Sequence, residues 1–166
     1  MNRNMNYFPL LSVLVLCLII CGTSYAQNCH LCSRVVDGDT LVIEMNSGSE
    51  KIRLIGVDTP ETVHPQKPVE YYGKEASAFT QRMVENKIVR LEYDWQQRDK
   101  YGRILAYVYL EDGTFLNAEI IKHGYGFAYT RFPFKYFNEF REYEKQARES
   151  KLGLWKDQPS TNDHGR

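Results

Sequence analysis

The chain has 166 residues, of which 21 are basic and 21 are acidic, so its formal net charge is zero. This balance excludes capture of nucleic acid by a global basic field, so any such binding must come from a local cluster or a metal. Aromatic residues make up 13% of the chain, which suits a small β-rich core as well as a surface for stacking bases.

The first 26 residues are unlike those that follow. An apolar run over residues 10–21 follows Arg3 and precedes an A-x-A-like site that ends at Ala26. The run is shorter than the roughly 20 apolar residues that span a bilayer and has the parts of a secretory signal peptide. We therefore predict cleavage after Ala26, giving a secreted or periplasmic protein with no membrane attachment. A lipid anchor at Cys21 is the alternative.

Cleavage leaves a single domain with one Cys-x-x-Cys pair, Cys29 and Cys32, in an N-terminal segment over residues 27–34. In an exported protein a local disulfide between them is the interpretation that we favour. A zinc site would need a second pair of ligands, and the histidines are scattered without ligand spacing. A redox role would need a thioredoxin-like βαβ unit, which does not follow.

Five segments predict β-strands because they show period-two alternation or are rich in β-branched residues. In chain order they cover residues 34–36, 41–45, 51–57, 87–93 and 105–110. An Asp-Gly pair at 112–113 predicts a turn after the last of them.

Apolar residues spaced by three and four predict a helix over residues 73–86 and a final helix over 137–147. A shorter helix over 116–123 is closed by Gly124. Three strands, a helix, two strands and further helices is the order of a five-stranded, partly open OB-fold barrel with about three packed helices. The domain is expected over residues 35–155, followed by a disordered polar tail over 156–166.

Carboxylates cluster at the ends of the predicted strands. Asp37 and Asp39 surround a glycine between the first two strands, and Asp58 and Glu61 follow the third. Each pair alone is typical of a turn. Together they provide oxygen ligands for a hard cation such as Ca²⁺ or Mg²⁺, with one carboxylate left to orient or deprotonate a water.

Two arginines complement these carboxylates. Arg53 lies inside the third predicted strand, on the face of Ile55 and Val57, where a cation needs an anionic partner or ligand. Arg103 ends the run Asp99-Lys100-Tyr101-Gly102-Arg103, and its simpler role is an ion pair with Asp99. Two arginines also match the forked hydrogen bonds that a phosphoryl group accepts. Metal, cations and base are the groups that metal-assisted phosphodiester hydrolysis requires.

Five short motifs stand in one order along the chain. They are Val36-Asp37-Gly38-Asp39-Thr40, Val57-Asp58-Thr59-Pro60-Glu61, Tyr72-Gly73-Lys74-Glu75-Ala76, Asp99-Lys100-Tyr101-Gly102-Arg103 and Leu152-Gly153-Leu154-Trp155. In sequence, order and separation they resemble the thermonuclease family, also called micrococcal or staphylococcal nuclease. The resemblance implies an OB-fold and Ca²⁺-dependent cleavage of single-stranded or locally melted DNA and RNA by a monomer. The 5′ oxygen leaves and the products carry a 3′-phosphate.

The resemblance also implies a role for each matching residue. Asp39 and Asp58, with the backbone carbonyl of Thr59, are expected to bind the calcium ion. Glu61 is expected to act as the general base or to position the water. The remaining residues are the phosphate clamps and the nucleotide-binding side chains: Arg53, Arg103, Lys100, Tyr101 and Tyr129.

The sequence departs from the family pattern in two ways, and one alternative function stays open. Arg131 stands where the family has a second tyrosine, which favours guanidinium stacking over an aromatic pair. The near-zero net charge predicts weaker substrate capture. The alternative is a catalytically silent OB-fold module that only binds nucleic acid or protein, but such a module has no use for a base such as Glu61 beside a metal.

Overall fold

The structure, a computed structural model, describes residues 28–62 and 68–156. The predicted signal peptide, the alternative lipid anchor and all but the first residue of the predicted tail lie outside these ranges. Within them, no helix has both the length and the apolar character needed to cross a membrane.

The described chain forms seven strands, three α-helices and a final 3₁₀ turn. In chain order they are β1 (Cys29–Asp37), β2 (Thr40–Met45), β3 (Gly48–Leu54), β4 (Val57–Asp58), α1 (Gly73–Val84), β5 (Lys87–Glu92), β6 (Ile104–Leu110), α2 (Leu116–Lys122), β7 (Phe127–Ala128), α3 (Phe137–Glu149) and the turn Gly153–Trp155.

Five strands close into a barrel in the order β1, β2, β3, β6, β5. The β3–β6 pairing is parallel, with Ile52 opposite Ile104, and the other pairings are antiparallel. This confirms the predicted OB-fold. The barrel is closed rather than partly open because β1 is longer than predicted: it begins at Cys29, and its first four residues pair with β5.

The third strand lies three residues earlier than predicted and ends at Leu54. Gly56 turns the chain with a φ of 73°, and a Cβ there would lie 2.6 Å from Cε2 of Phe134, so only glycine fits. Ile52 and Leu54 are buried in the barrel. Arg53 therefore points to the outside of the barrel, and its predicted place on an apolar face is wrong.

A buried asparagine on α2 fixes the turn that follows β3. Asn117 accepts a hydrogen bond from the backbone N–H of Val108 in β6 at 3.0 Å and donates one to the carbonyl of Ile55 at 2.9 Å. Its side chain thus satisfies backbone groups that would otherwise be buried without partners. The turn carrying Arg53 toward Asp58 is held against the barrel in this way.

The expected Cys29–Cys32 disulfide does not fit the structure. Both residues lie in the regularly paired part of β1, where positions three residues apart are separated by about 10 Å and face opposite sides of the sheet. A disulfide joins Cα atoms about 4.4–6.8 Å apart. Cys32 is buried in the core, whereas Cys29 is exposed.

We predict that the thiols of Cys29 and Cys32, in a protein that begins at Gln27, react at different rates. Burial raises the pKa of Cys32 to about 11, so its thiolate is ~10²-fold scarcer than that of an ordinary cysteine. A chromogenic disulfide reagent should label one thiol quickly in the folded protein and both after unfolding in guanidinium. The Cys29→Ser variant should lack the fast phase. Absence of titratable thiols in the unfolded chain would restore the disulfide.

Candidate active site

The turn between β1 and β2 carries the first carboxylates of the site. Asp37 pairs with Thr40 across this turn, and both Asp37 and Asp39 are buried. Gly38 allows a close approach, because a Cβ there would lie 2.7 Å from Oγ1 of Thr59. The segment that follows β4 therefore packs directly on the turn. The Asp-Gly pattern forms a turn, as such a pattern typically does, and this turn also contributes residues to the site.

Arg53 joins two of the predicted carboxylates. Its Nη2 lies 3.0 Å from Oδ2 of Asp39 and 3.0 Å from Oδ1 of Asp58. Its Nη1 donates to the carbonyl oxygens of Leu54 and Val57 at 3.1 and 2.5 Å. The backbone of the β3–β4 turn thus fixes the guanidinium. Two carboxylates from distant parts of the sequence converge on one cationic nitrogen.

Asp39 is held by donors on both oxygens. Its Oδ2 accepts the backbone N–H of Thr59 at 3.0 Å and its Oδ1 accepts the hydroxyl of Thr40 at 3.0 Å. Nη1 of Arg103 in turn donates to Oγ1 of Thr40 at 3.4 Å. The two predicted phosphate clamps, Arg53 and Arg103, therefore belong to one hydrogen-bond network that runs through Asp39.

Arg103 is positioned by Asp99, the partner that its simpler interpretation suggested. Its Nε lies 2.7 Å from Oδ2 of Asp99, whose Oδ1 also accepts the backbone N–H groups of Tyr101 and Arg103. Burial opposes ionisation of Asp99, but these hydrogen bonds and the adjacent cation lower its pKa. The motif is a local turn closed around an ionised carboxylate.

Glu61 lies beside Asp37 at the other side of the network. Burial and a hydrogen bond between the two carboxyl groups raise the pKa of Asp37, although the hydroxyl of Thr62 donates to it at 2.8 Å. The pKa of Asp58 is also raised, mainly by burial and against the attraction of Arg53. These groups gather more negative charge than Arg53 alone balances, an environment that favours a further cation.

The donor set fits a hard metal ion. Asp39 and Asp58 present carboxylate oxygens to the same cationic nitrogen. Oγ1 of Thr59 is buried without a hydrogen-bond partner in the part of the chain that the structure describes. In that same part, no group of three or more His, Cys, Asp or Glu side chains is arranged for a metal. Two carboxylates, a backbone carbonyl and water would instead form the oxygen set that Ca²⁺ accepts.

A cleft of about 410 Å³ opens beside this network. Six of the residues predicted from the sequence line it: Arg53, Asp58, Lys100, Tyr101, Arg103 and Tyr129. Asp39, Thr59 and Glu61 do not line the cleft and lie behind or beside it in the network. Cys29 and Cys32 belong to the β1–β5 side of the barrel and do not join the site.

Cations accompany the tyrosines of the cleft. Nζ of Lys100 lies 4.9 Å from the ring centroid of Tyr101, and the guanidinium carbon of Arg103 lies 5.5 Å from it. Arg131 lies 5.8 Å from the ring of Tyr129. Such pairs present a flat ring together with a positive charge, a combination that suits a nucleotide.

Sequence reasoning missed three residues of the cleft: Asp94, Trp95 and Phe132. Asp94 accepts the hydroxyl of Tyr107 at 2.5 Å and the backbone N–H groups of Lys135 and Trp95 at 3.0 and 2.8 Å. The available signal was a lone tryptophan in the polar stretch between the fourth predicted strand and the Asp99 motif. This polar stretch is too short to show a helical or strand period.

The fold and the site together define an OB-fold enzyme of the phosphodiester hydrolase class. Residues 51–157 match the model of the family described as staphylococcal nuclease homologue. The chain is 47% identical to the thermonuclease of Staphylococcus intermedius over 135 residues, covering 81% of this chain and 80% of that protein. It is 47% identical to the thermonuclease of Staphylococcus hyicus over 123 residues, covering 74% and 72%.

A third relative is Endonuclease YncB of Bacillus subtilis (strain 168), 40% identical over 125 residues that cover 74% of this chain and 59% of that protein. The chain belongs to the staphylococcal nuclease, or thermonuclease, family. It is therefore a nuclease, and the predicted resemblance is confirmed.

We predict that Asp94 contributes to the free energy of unfolding and that this contribution is lost in acid. Burial opposes its ionisation, but the hydrogen bonds from Tyr107, Lys135 and Trp95 lower its pKa below the ordinary value. Its contribution is therefore complete above the unfolded pKa of about 4 and is lost as the pH falls through the lower folded value. The Asp94→Asn variant should lose about 1–3 kcal/mol of unfolding free energy at pH 7.

Urea unfolding between pH 7 and about pH 2 would measure this component. The difference between wild type and Asp94→Asn should shrink as the solution becomes more acidic. Tyr107→Phe, which removes only the donating hydroxyl, should show part of the same loss. A difference that stays constant across this pH range would contradict the assignment.

Proposed function

We propose that this protein is a secreted, Ca²⁺-dependent nuclease that hydrolyses DNA and RNA with little sequence specificity. In this proposal the bond to the 5′ oxygen breaks and the product carries a 3′-phosphate. The substrate is single-stranded or locally melted, and the enzyme works as a monomer. The observation that carries the proposal is the convergence of Asp39 and Asp58 on Nη2 of Arg53 beside a cleft that also contains Arg103.

Asp39, Asp58 and the carbonyl of Thr59 would hold the ion. When bound, Ca²⁺ supplies a Lewis acid that stabilises negative charge on the phosphoryl oxygens. The fixed donors on Asp39, from Thr59 and Thr40, keep that carboxylate oriented, so that little reorganisation is needed for binding.

The two arginines stabilise the charge that develops on the phosphoryl group. Arg53 is fixed by the carbonyls of Leu54 and Val57 on Nη1 and by Asp39 and Asp58 on Nη2. Its positive charge is therefore held in a set position at the cleft. Arg103 is fixed through Nε by Asp99. Prepositioned guanidinium groups are most effective in the transition state, because they need not be reoriented as charge grows.

Glu61 is the proposed general base or water-positioning group. It lies next to Asp37, whose pKa is raised by burial and by a hydrogen bond with Glu61. Its backbone N–H donates to Oε2 of Glu70 at 3.1 Å, which fixes the segment that follows β4. Glu61 can then accept a proton from the attacking water while the cleft holds the phosphate.

Lys100 and Tyr101 are proposed to hold a terminal phosphate and Tyr129 to pack beside a base. The support is their shared position in the cleft with Arg53 and Arg103. The Arg131 guanidinium lies against the ring of Tyr129, where it can add a cation to the base-binding face.

The first test is cleavage of single-stranded DNA by the mature chain with Ca²⁺, with Mg²⁺ and with a chelator, alongside Glu61→Gln. We expect activity that requires Ca²⁺, and a variant that binds DNA normally but turns over about 10²–10⁴-fold more slowly. Glu75→Gln, on the exposed side of α1, is the matched control and should retain full activity. DNA binding without cleavage in any metal would favour the silent binding module.

A second test separates the roles of Arg103 and Tyr129. Arg103→Ala should act mainly on kcat, since its guanidinium stabilises the transition state. Tyr129→Ala should raise the dissociation constant for oligonucleotides by a factor that corresponds to about 1–3 kcal/mol, while turnover of bound substrate changes little. Steady-state kinetics with one oligonucleotide measure both effects. A Tyr129 variant that loses turnover but not affinity would contradict its role.

A further inference from the structure

The cleft contains two large exposed rings that the proposed mechanism does not use. Trp95 is 70% exposed and Phe132 is 60% exposed, and both line the cleft beside Arg53 and Arg103. The chain's other tryptophan, Trp155, is only 5% exposed. A tryptophan is normally well buried because of its large apolar area, so an exposed tryptophan in a binding cleft calls for a ligand.

The loop that carries Trp95 is fixed rather than loose. The backbone N–H of Trp95 donates to Oδ1 of Asp94, and its Nε1 donates to the carbonyl of Pro133 at 3.3 Å. Oδ2 of Asp94 accepts the backbone N–H of Lys135. These bonds join the loop after β5 to the segment after Phe132. The Trp95 ring and the backbone beside Phe132 are therefore held in place at the cleft.

The rings continue the proposed base-binding face. The centroid of Phe132 lies 6.2 Å from that of Tyr129, and Trp95 is bonded to the residue that follows Phe132. Tyr129 and Phe132 are therefore neighbouring rings, and Trp95 lines the same cleft. A single nucleotide bound at Tyr129 does not need contact with the rings of Phe132 and Trp95.

The cleft has balanced charges, so electrostatic attraction gives little affinity for nucleic acid and stacking must provide more of it. Three basic residues, Arg53, Lys100 and Arg103, are matched by three acidic residues, Asp58, Asp94 and Asp99. A cleft with balanced charge releases few counterions from nucleic acid and gains little affinity from salt-dependent attraction. Base-to-ring stacking is independent of sequence because every base has a flat face.

We propose that Trp95 and Phe132 form a second base-stacking subsite, which binds a further nucleotide of the same single strand that occupies the cleft at Tyr129. The inference rests on the proposed nucleic-acid substrate and extends it. Bases inside a duplex are stacked on one another and cannot reach a protein ring without being unstacked. The subsite would therefore give the enzyme its preference for single-stranded or melted segments.

Calorimetric titration tests the proposal, because it measures binding to every variant, including those that lack Trp95. Intrinsic fluorescence adds a second readout for wild type, in which Trp95 is exposed and Trp155 is buried. The mature chain is titrated in chelator, to stop hydrolysis, with hexathymidylate and with thymidine 3′,5′-bisphosphate. We expect hexathymidylate to quench the emission of wild type. Trp95→Ala should raise the dissociation constant of hexathymidylate, measured by calorimetry, about 5- to 100-fold. The dissociation constant of the bisphosphate, which holds one base, should change less than about twofold.

Three controls keep the result interpretable. Trp95→Phe keeps a ring at the position and should retain most of the affinity for hexathymidylate, and Phe132→Ala should weaken it like Trp95→Ala. Tyr71→Ala removes an exposed ring that does not line the cleft and should leave binding unchanged. Thermal melting of each variant measures whether it is folded.

Equal weakening of the bisphosphate and the hexamer by Trp95→Ala, or no weakening of either, would overturn the subsite. Ca²⁺-dependent cleavage by wild type is measured separately. Cleavage together with unaltered hexamer binding by Trp95→Ala would overturn the subsite and leave the proposed nuclease intact. Weaker hexamer binding by Trp95→Ala with unchanged bisphosphate binding, but without cleavage by wild type in any metal, would support the subsite and overturn the proposed mechanism.

Discussion

The ion pairs of Arg53 are the interaction on which the rest of the site depends. One nitrogen neutralises Asp39 and Asp58 together, and the other is anchored to the backbone of its own turn. Two carboxylates held this close repel each other unless a cation lies between them. Loss of the guanidinium would leave buried negative charge uncompensated, which is far more costly than loss of a surface ion pair.

The Arg53 guanidinium is positioned by buried residues that have no proposed part in the reaction. Asn117 ties α2 to β6 and to the turn after β3. Gly56 makes the turn possible, and Gly38 lets the β1–β2 turn touch Thr59. Each of them fixes the position of the backbone, so a substitution at any one would displace several site residues at once. The precision of the site comes from these buried contacts more than from its charged groups.

Much of the fold and of the cleft could be predicted from the sequence, and the reasons for the failures are physical. Strand alternation and helical spacing located the elements because burial imposes those periods on the residues. Periodicity could not show that Gly56 ends β3, and it therefore placed Arg53 on the wrong face. The Cys29–Cys32 spacing suggested a disulfide because spacing contains no information on whether the segment is extended. Asp94 and Trp95 were missed since their partners, Tyr107 and Pro133, are distant in sequence.

The topology of the barrel also determines when activity can appear during folding. Arg53 lies in β3 and Arg103 immediately before β6, and these strands pair in parallel with Ile52 opposite Ile104. About 50 residues, including α1 and β5, separate the two paired strands, and contacts between such distant segments form slowly. A chain in which this pairing has not formed therefore has Arg53, with Asp39 and Asp58, on one piece and Arg103, with Asp99, on another. In the proposed mechanism both arginines act on one phosphoryl group, so hydrolysis would require a closed barrel.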